Sequence, residues 1–527
     1  MRRAALAMAL GGAGLGLFTG VAIAQFGRSP GDFSTTGSDA HRSSWVRTDA
    51  KISPAALTRP GFELVWKIKL NNEASQLNAL TPASLLTSYI GYRGFRSLAL
   101  IGGSANQVFA MDTDLGHIEW QKAIKSTPGP AGPSVTCPGG MTANVARPVS
   151  AAFPMSPPAA RAGGRSFAKS GVGEADEGAV TLKEYQARMA LPPPPPPRAP
   201  VLPPGGRAPG RMPNYVHAIS SDGMLHSMYV SNGEEPNPPV KFLPPNANGQ
   251  GLIVVDNAAY AVTTDGCGGA PNAVWALDIA SAEVSTWQPV SGGIAGSVGP
   301  AFGPDNTVYV TTQSGDLVTL EPKTLKLKDV FRAGSEFTSS PVIFQSGTRT
   351  MIAAATRDGR IHVLDGAALS SPVYQSDVLI PGDKFTPGAL AAWQDVAGSR
   401  YLLATTSNAV MSWKVVTQGD SMSLEKAWSS PELVAPLTPL IVNGVVFAVS
   451  SGEFLTNDAK MTAAQRAQRS VPAVVYALDG TTGKVLWNSG KTITSFVHGG
   501  GLSGGGSQLY LGTHDGMLYS FGFPIEH

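Results

Sequence analysis

Five side chains suited to ligand contact fall in turns that punctuate this sequence: Asp265, Arg357, Asp358, His514 and Asp515. Carboxylates, a guanidinium and an imidazole brought to one concave surface can orient a polar ligand by charge and hydrogen bonding. Three of the five stand directly before glycine, at Gly266, Gly359 and Gly516, and Asp-Gly is also what a two-residue hairpin turn requires on steric grounds. His498 leads into Gly499, Gly500 and Gly501. With no second histidine at ligand spacing, it reads as a residue lining a channel rather than as a metal ligand. No phosphate loop and no H-E-x-x-H occurs, so no catalytic residue and no metal site is expected. Cys137 and Cys267 are the two cysteines of the chain. They form neither C-x-x-C nor C-x-x-C-H, which removes attached haem and the common zinc and redox motifs.

The elements that must hold these residues are short strands. The chain has 527 residues, 43% of them hydrophobic and only 14% charged, with 61 Gly and 42 Pro, the balance of many strands joined by tight turns. A net charge of +2 without basic or acidic blocks gives no footprint for a phosphate backbone, so nucleic acid is not an expected partner. Arg2 and Arg3 precede an apolar run to Val21, and Ala22-Ile23-Ala24 offers a small-x-small cleavage site. Residues 1–24 therefore read as a signal peptide, with a periplasmic or secreted destination; membrane contact follows only if the leader stays uncut. Export favours pairing Cys137 with Cys267.

The strongest pattern is Ala477-Leu478-Asp479-Gly480-Thr481-Thr482-Gly483-Lys484-Val485-Leu486-Trp487, echoed from Ala110 to Trp120 and, with one extra residue, from Ala276 to Trp287. Each copy is an apolar strand, a polar turn and a second strand ending on tryptophan, which is half of a four-stranded propeller blade. Such units recur at residues 80–123, 213–243, 244–290, 295–332, 338–380, 386–429 and 434–489. The strand Phe62 to Leu70 precedes any complete blade, and residues 496–523 stop one strand short. Pairing the two closes the ring and removes an exposed sheet edge. The fold class is an all-β, eight-bladed β-propeller closed by an N-terminal strand, with seven blades as the alternative because the outer strand of the second unit is faint.

Residues 25–60 read as irregular, with Ser53-Pro54 starting a short helical turn, and residues 61–523 as the propeller. Two insertions interrupt it. Residues 124–212 carry the run Pro192 to Pro197 and a capping box at Thr181 to Glu184 that predicts a helix to Ala190. Residues 452–472 carry Thr462 to Arg466, a second short helix. Loops joining second to third strands, and each outer strand to the next inner strand, share one face of a propeller. Both insertions, both cysteines and all five candidate contacts are expected on that face.

The motif at Ala477 to Trp487 resembles the tryptophan-docking repeat of the pyrroloquinoline-quinone (PQQ) type propellers, which include quinoprotein alcohol dehydrogenases and a scaffold of outer-membrane assembly. The resemblance implies that Trp120, Trp287 and Trp487 are structural, each packing on the neighbouring blade. Gly37 to Asp39, Arg42 to Ser44 and Leu64 to Trp66 are similar to the start of the dehydrogenases. The enzymes stack their quinone on a disulfide of adjacent cysteines and hold calcium with Glu, Asn and Asp; this chain has no adjacent cysteines, and no motif here carries the calcium set. The expectation is an exported, non-catalytic propeller that binds a protein partner or small ligand on its elaborated face. The alternative is a divergent dehydrogenase using PQQ with calcium.

Overall fold

The computed structural model describes residues 33–524 except 92–93, 127–133, 154–213, 381–384, 386 and 420. The expected leader, the helix at Thr181 to Ala190 and the proline run lie outside the described residues. Eight sheets are present among the described residues; the innermost strands of the fourth to eighth touch in chain order, the eighth also touches the first, and shared apolar cores join the first to the second, the second to the third and the third to the fourth. The molecule is an eight-bladed propeller. Blade 4 shows the unit: Ala301–Phe302, Val308–Thr311, Asp316–Leu320 and Leu327–Arg332 pair antiparallel from axis to rim. Val308, Val310 and Val318 are buried while Leu327 on the outer strand is exposed, because inner strands are covered by blades on both faces. The strand Glu63–Lys69 pairs antiparallel with Met517–Gly522, Ile68 opposite Leu518, so the ring closes through its termini as the repeat pattern predicts.

The docking motif works through two positions. Trp120 lies opposite Ala110 and Trp487 opposite Ala477; the small residue leaves room for the indole. Trp120 Nε1 then donates to Val230 O of blade 2 at 2.9 Å, and Trp487 packs edge-on against Phe62 and Phe521 of blade 8. The motif glycine receives the tryptophan of the preceding blade. A Cβ on Gly483 (φ +72°) would lie 2.8 Å from Trp428, and one on Gly116 (φ +65°) 2.5 Å from Trp66. Trp428 and Trp66 thus dock as well, donating to Gly480 O and Thr113 O. Trp287 joins the core shared by blades 3 and 4, but it opposes Val274 while Ala276 opposes Ser285, so the extra residue in that copy shifts the pairing.

The reach and the face of the first insertion both need correction. Ala146 bridges His217 antiparallel, so the chain near Ala146 is the innermost strand of blade 2, whose other strands are Tyr215–Ile219, Met224–Tyr229 and the two-residue outer strand Val240–Lys241. Pro148–Val149 then runs parallel to Val254–Val255 at the end of the inner strand of blade 3. Residues 134–153 are therefore part of the disc. The flanking residues Phe153 and Asn214 sit at the face of the first-to-second-strand turns, where Asn214 O accepts from Val230 N–H. Phe153 and Asn214 thus lie at the lower face, opposite the insertion at 452–472, which links Val445–Ser450 to Val474–Asp479 on the upper face. A six-residue alternation hemmed by Gly and Pro carries too little periodicity to mark a strand. The helix of the second insertion, Ala463–Arg469, forms with Thr462 and Gln465 as a capping box.

Residues 33–49, expected to be irregular, have little regular structure but are built into the axis. Phe33 O accepts from Leu85 N–H of blade 1, Ser34 O from Arg147 N–H of blade 2, and Thr35 Oγ1 donates to Leu252 O of blade 3. Ala40 O, His41 O, Ser43 O and Ser44 O accept from Phe302, Ile343, Ala392 and Ile441 in blades 4 to 7, and the Asp49 carboxylate accepts from Ser507 N–H of blade 8. The segment visits every blade in ring order and plugs the channel at its lower end. Arg42 is its centre. Fully buried, it donates to Pro300 O at 2.8 Å, Gly251 O at 2.8 Å, Thr36 O at 2.6 Å and Thr35 Oγ1 at 3.1 Å. Burial lowers its pKa to about 9, with Asp39 opposing the shift.

Candidate functional site

Above the plug the channel opens as a funnel enclosing about 890 Å³, counting solvent at its mouth, with Thr36 of the plug in its wall. Its sides come from the entries to inner strands: Asn78 to Pro82, Met141, Thr142 and Asn144, Asn248, Gln250 and Gly251, Ser297, and His498 to Gly500. The loop holding Val135, Thr136 and Pro138 forms part of one wall. A disulfide joins Cys137 of this loop to Cys267, S–S 2.04 Å. Ser75 Oγ donates to Pro138 O at 2.5 Å and Asn248 Nδ2 to Thr136 O at 3.4 Å. Leu77, Phe496 and the insertion helix residue Ala463 form an apolar cluster with Val135, so the mouth has a packed collar.

The collar carries one ionisable constellation. Glu453, buried at the start of the second insertion, holds His498 Nδ1 with Oε2 at 2.9 Å and pairs through Oε1 with Arg466 of the insertion helix. Glu453 Oε2 accepts from Nδ1–H, so that in the neutral imidazole Nε2 of His498 is left as a lone-pair acceptor for solvent or a ligand. This histidine was legible from its position before a glycine run. Its partners were not, since Glu453 and Arg466 belong to an insertion with no repeat to register them.

The five residues singled out from the sequence stand in second-to-third-strand turns, and none is among the funnel-lining residues. The Thr356 hydroxyl donates to Asp358 Oδ1 at 2.6 Å and the Thr513 hydroxyl to Asp515 Oδ1 at 2.5 Å; the aspartates brace their own turns. Asp265 accepts from Thr264 Oγ1 and Asn248 Nδ2, and Arg357 pairs with Glu336. His514 stacks on Phe496 and donates from Nδ1 to Leu77 O at 3.1 Å, with burial pulling its pKa below the usual value.

Three other groupings have suggestive spacing and a structural explanation. Ser220 Oγ lies 3.0 Å from His226 Nε2, and His226 Nδ1 lies 3.1 Å from Glu235, the order of a hydrolytic triad. Ser220 is, however, the same turn position as Thr356 and Thr513, with its hydroxyl on Asp222. Gly501 to Gly505 matches G-x-S-x-G, yet Ser503 is wholly buried in an inner strand and accepts from Ala83 N–H at 3.2 Å. Asp112, His117 and Glu119 bring ligand atoms within 4.8 Å of one another, and Arg96 already pairs with both carboxylates.

Among known proteins, neither a family model nor a curated sequence matches the chain. Solved structures do. The quinohemoprotein alcohol dehydrogenase of Comamonas testosteroni superposes with TM-score 0.56 at 14% identity over 96% of this chain and 82% of that one. A europium-containing methanol dehydrogenase gives 0.55 at 12% identity over 95% and 99%. BamB from Moraxella catarrhalis gives 0.48 at 12% over 88% and 99%. The resemblance drawn from the repeats therefore holds at the level of the fold: this chain has the eight-bladed propeller architecture that the two dehydrogenases share. At these identities activity is not carried across.

Proposed function

We propose that this protein is an exported, non-catalytic propeller that holds a partner segment or small ligand in its upper funnel. One observation carries the reading: the plug bonds all eight blades at one end of the channel, while the other end opens into a collared cavity. Among its lining residues, His498 alone is titratable, and none is Asp, Glu, Lys or Arg. That wall suits recognition by hydrogen bonds and contact more than it suits charge-developing chemistry. The test is retention. Protein incubated with an extract of the compartment it occupies should retain a compound or peptide identifiable by mass spectrometry. Gly500 has room for a side chain, its ideal Cβ lying 3.6 Å from Leu80 O, and Gly500→Trp should fill the funnel and abolish retention. Equal retention by both proteins would sink the reading.

The second reading, a quinone-dependent dehydrogenase, is favoured by the shared fold. PQQ is an anionic tricarboxylate used with calcium, so its site needs cations for the carboxylates and oxygen anions for the metal. The funnel's lining residues do not fit that group. Incubation with PQQ and calcium, followed by dye reduction with alcohols, should give no quinone binding at micromolar concentration; saturable binding with turnover would establish the enzyme instead.

A further inference from the structure

We propose that the funnel takes an uncharged, hydroxyl-rich ligand, a small sugar, in place of an organic acid or amine. The proposal rests on the reading of the funnel as the functional site and adds the chemistry of its occupant. Asn144 and Asn248 line the funnel and are only 5% and 8% exposed. Their donors are committed inward. Asn144 Nδ2 donates to Leu252 O at 3.0 Å, Val145 O at 3.1 Å and Thr35 Oγ1 at 3.3 Å. Asn248 Nδ2 donates to Asp265 Oδ2 at 3.1 Å and Thr136 O at 3.4 Å. What each amide has left is Oδ1, which has no partner among the described residues. His498 Nε2 is a third acceptor, fixed by Glu453 on its other nitrogen.

A wall bearing two oriented amide oxygens and, in the neutral imidazole, His498 Nε2 calls for a ligand that donates. A carboxylate or phosphate would face lone pairs with no cation to balance it, and would lose its hydration without replacement. An ammonium would find acceptors but no free counter-charge, because the Glu453 carboxylate is already shared by His498 and Arg466. Hydroxyl groups meet both conditions. They donate to Asn144, Asn248 and His498, and accept from the Gln250 amide, which makes no side-chain hydrogen bond within the described protein. Leu80 and Met141 in the same wall present apolar surface for the C–H edges of a ring.

The experiment is isothermal titration of the full chain with glucose, galactose and maltose, alongside gluconate and glucosamine as charged counterparts of glucose. At least one neutral sugar should bind, with each charged counterpart at least ten-fold weaker. Gln250→Leu removes an amide that the fold itself does not use and should weaken that sugar about ten-fold with an unchanged melting temperature. The proposal is overturned if no neutral sugar binds, if a charged counterpart binds as well as glucose, or if Gln250→Leu leaves sugar affinity untouched. Funnel-dependent retention of a charged compound or a peptide would overturn the sugar while leaving the binding propeller intact. Retention unaffected by Gly500→Trp would instead remove the funnel as the site.

Discussion

Replacing Arg42 with methionine tests whether the N-terminal segment is a structural plug. The side chain keeps a similar length and loses four hydrogen bonds, three of them to main-chain carbonyls. Bonds to a charged donor contribute about 1.5–3 kcal/mol each, roughly 6–12 kcal/mol together. Against this, burial depresses the guanidinium pKa from 12.5 to about 9, so removing the charge relieves about 5 kcal/mol of desolvation. The expected net loss is about 4 kcal/mol, in line with the usual cost of breaking a buried charged network. Urea unfolding followed by tryptophan fluorescence measures it. Amide hydrogen exchange supplies an independent readout: Leu85, Ile343, Ala392 and Ile441 donate to the plug, and their protection should fall together in the variant. A loss under about 1 kcal/mol with those four amides still protected would refute the reasoning, since the plug would then be a passive occupant of a ring that closes without it.

Two further outcomes follow from burial and cross-linking. His217 and His362 are buried, and burial lowers both pKa values to about 4. The unfolded chain therefore binds more protons between pH 4 and about 6.5, and stability present above 6.5 is lost as the pH falls toward 4. Among the described residues His362 has no hydrogen-bond partner for either ring nitrogen, and it packs against Phe331 and Phe337. His362→Leu should flatten the pH dependence and raise stability at pH 5 by about 2 kcal/mol relative to the parent; an unchanged slope in denaturant titrations from pH 7 to 4.5 would count against it. The Cys137–Cys267 bond closes a loop of sequence separation 130, for which chain entropy predicts up to about 5 kcal/mol of stabilisation. Cys137→Ser with Cys267→Ser should lower stability by a few kcal/mol and raise exchange at Thr136 in the funnel wall. A melting temperature within a degree of the parent would show that the collar holds without the bond.

The propeller was readable because its signal is local and repeated. Ala477 to Trp487 states a strand, a braced turn and a docking tryptophan in consecutive residues, and its two echoes, Ala110 to Trp120 and Ala276 to Trp287, place the same unit in other blades. Ring closure followed from counting strands, with Glu63–Lys69 in excess at one end and one strand missing at the other. The Asp-Gly turns were just as visible, but visibility reflected backbone sterics: Asp358 and Asp515 recur because their two blades use the same braced turn, and neither lines the funnel. His498 was the exception, recognised from an inner-strand position beside glycines.

What only the tertiary structure decided is everything set at the axis. Residues 33–49 carry no periodicity, since each bonds a different blade, and a segment that pairs once with each of eight partners has no repeat to read. The inner strand of blade 2 is likewise a single pass near Ala146, cut off from its sheet by the chain between Phe153 and Asn214. The sequence by itself determined the blades, their docking and their closure, because those depend on contacts between near neighbours in the chain. The plug and the funnel above it depend on residues brought together by the ring's curvature, and that geometry exists only once all eight blades have packed.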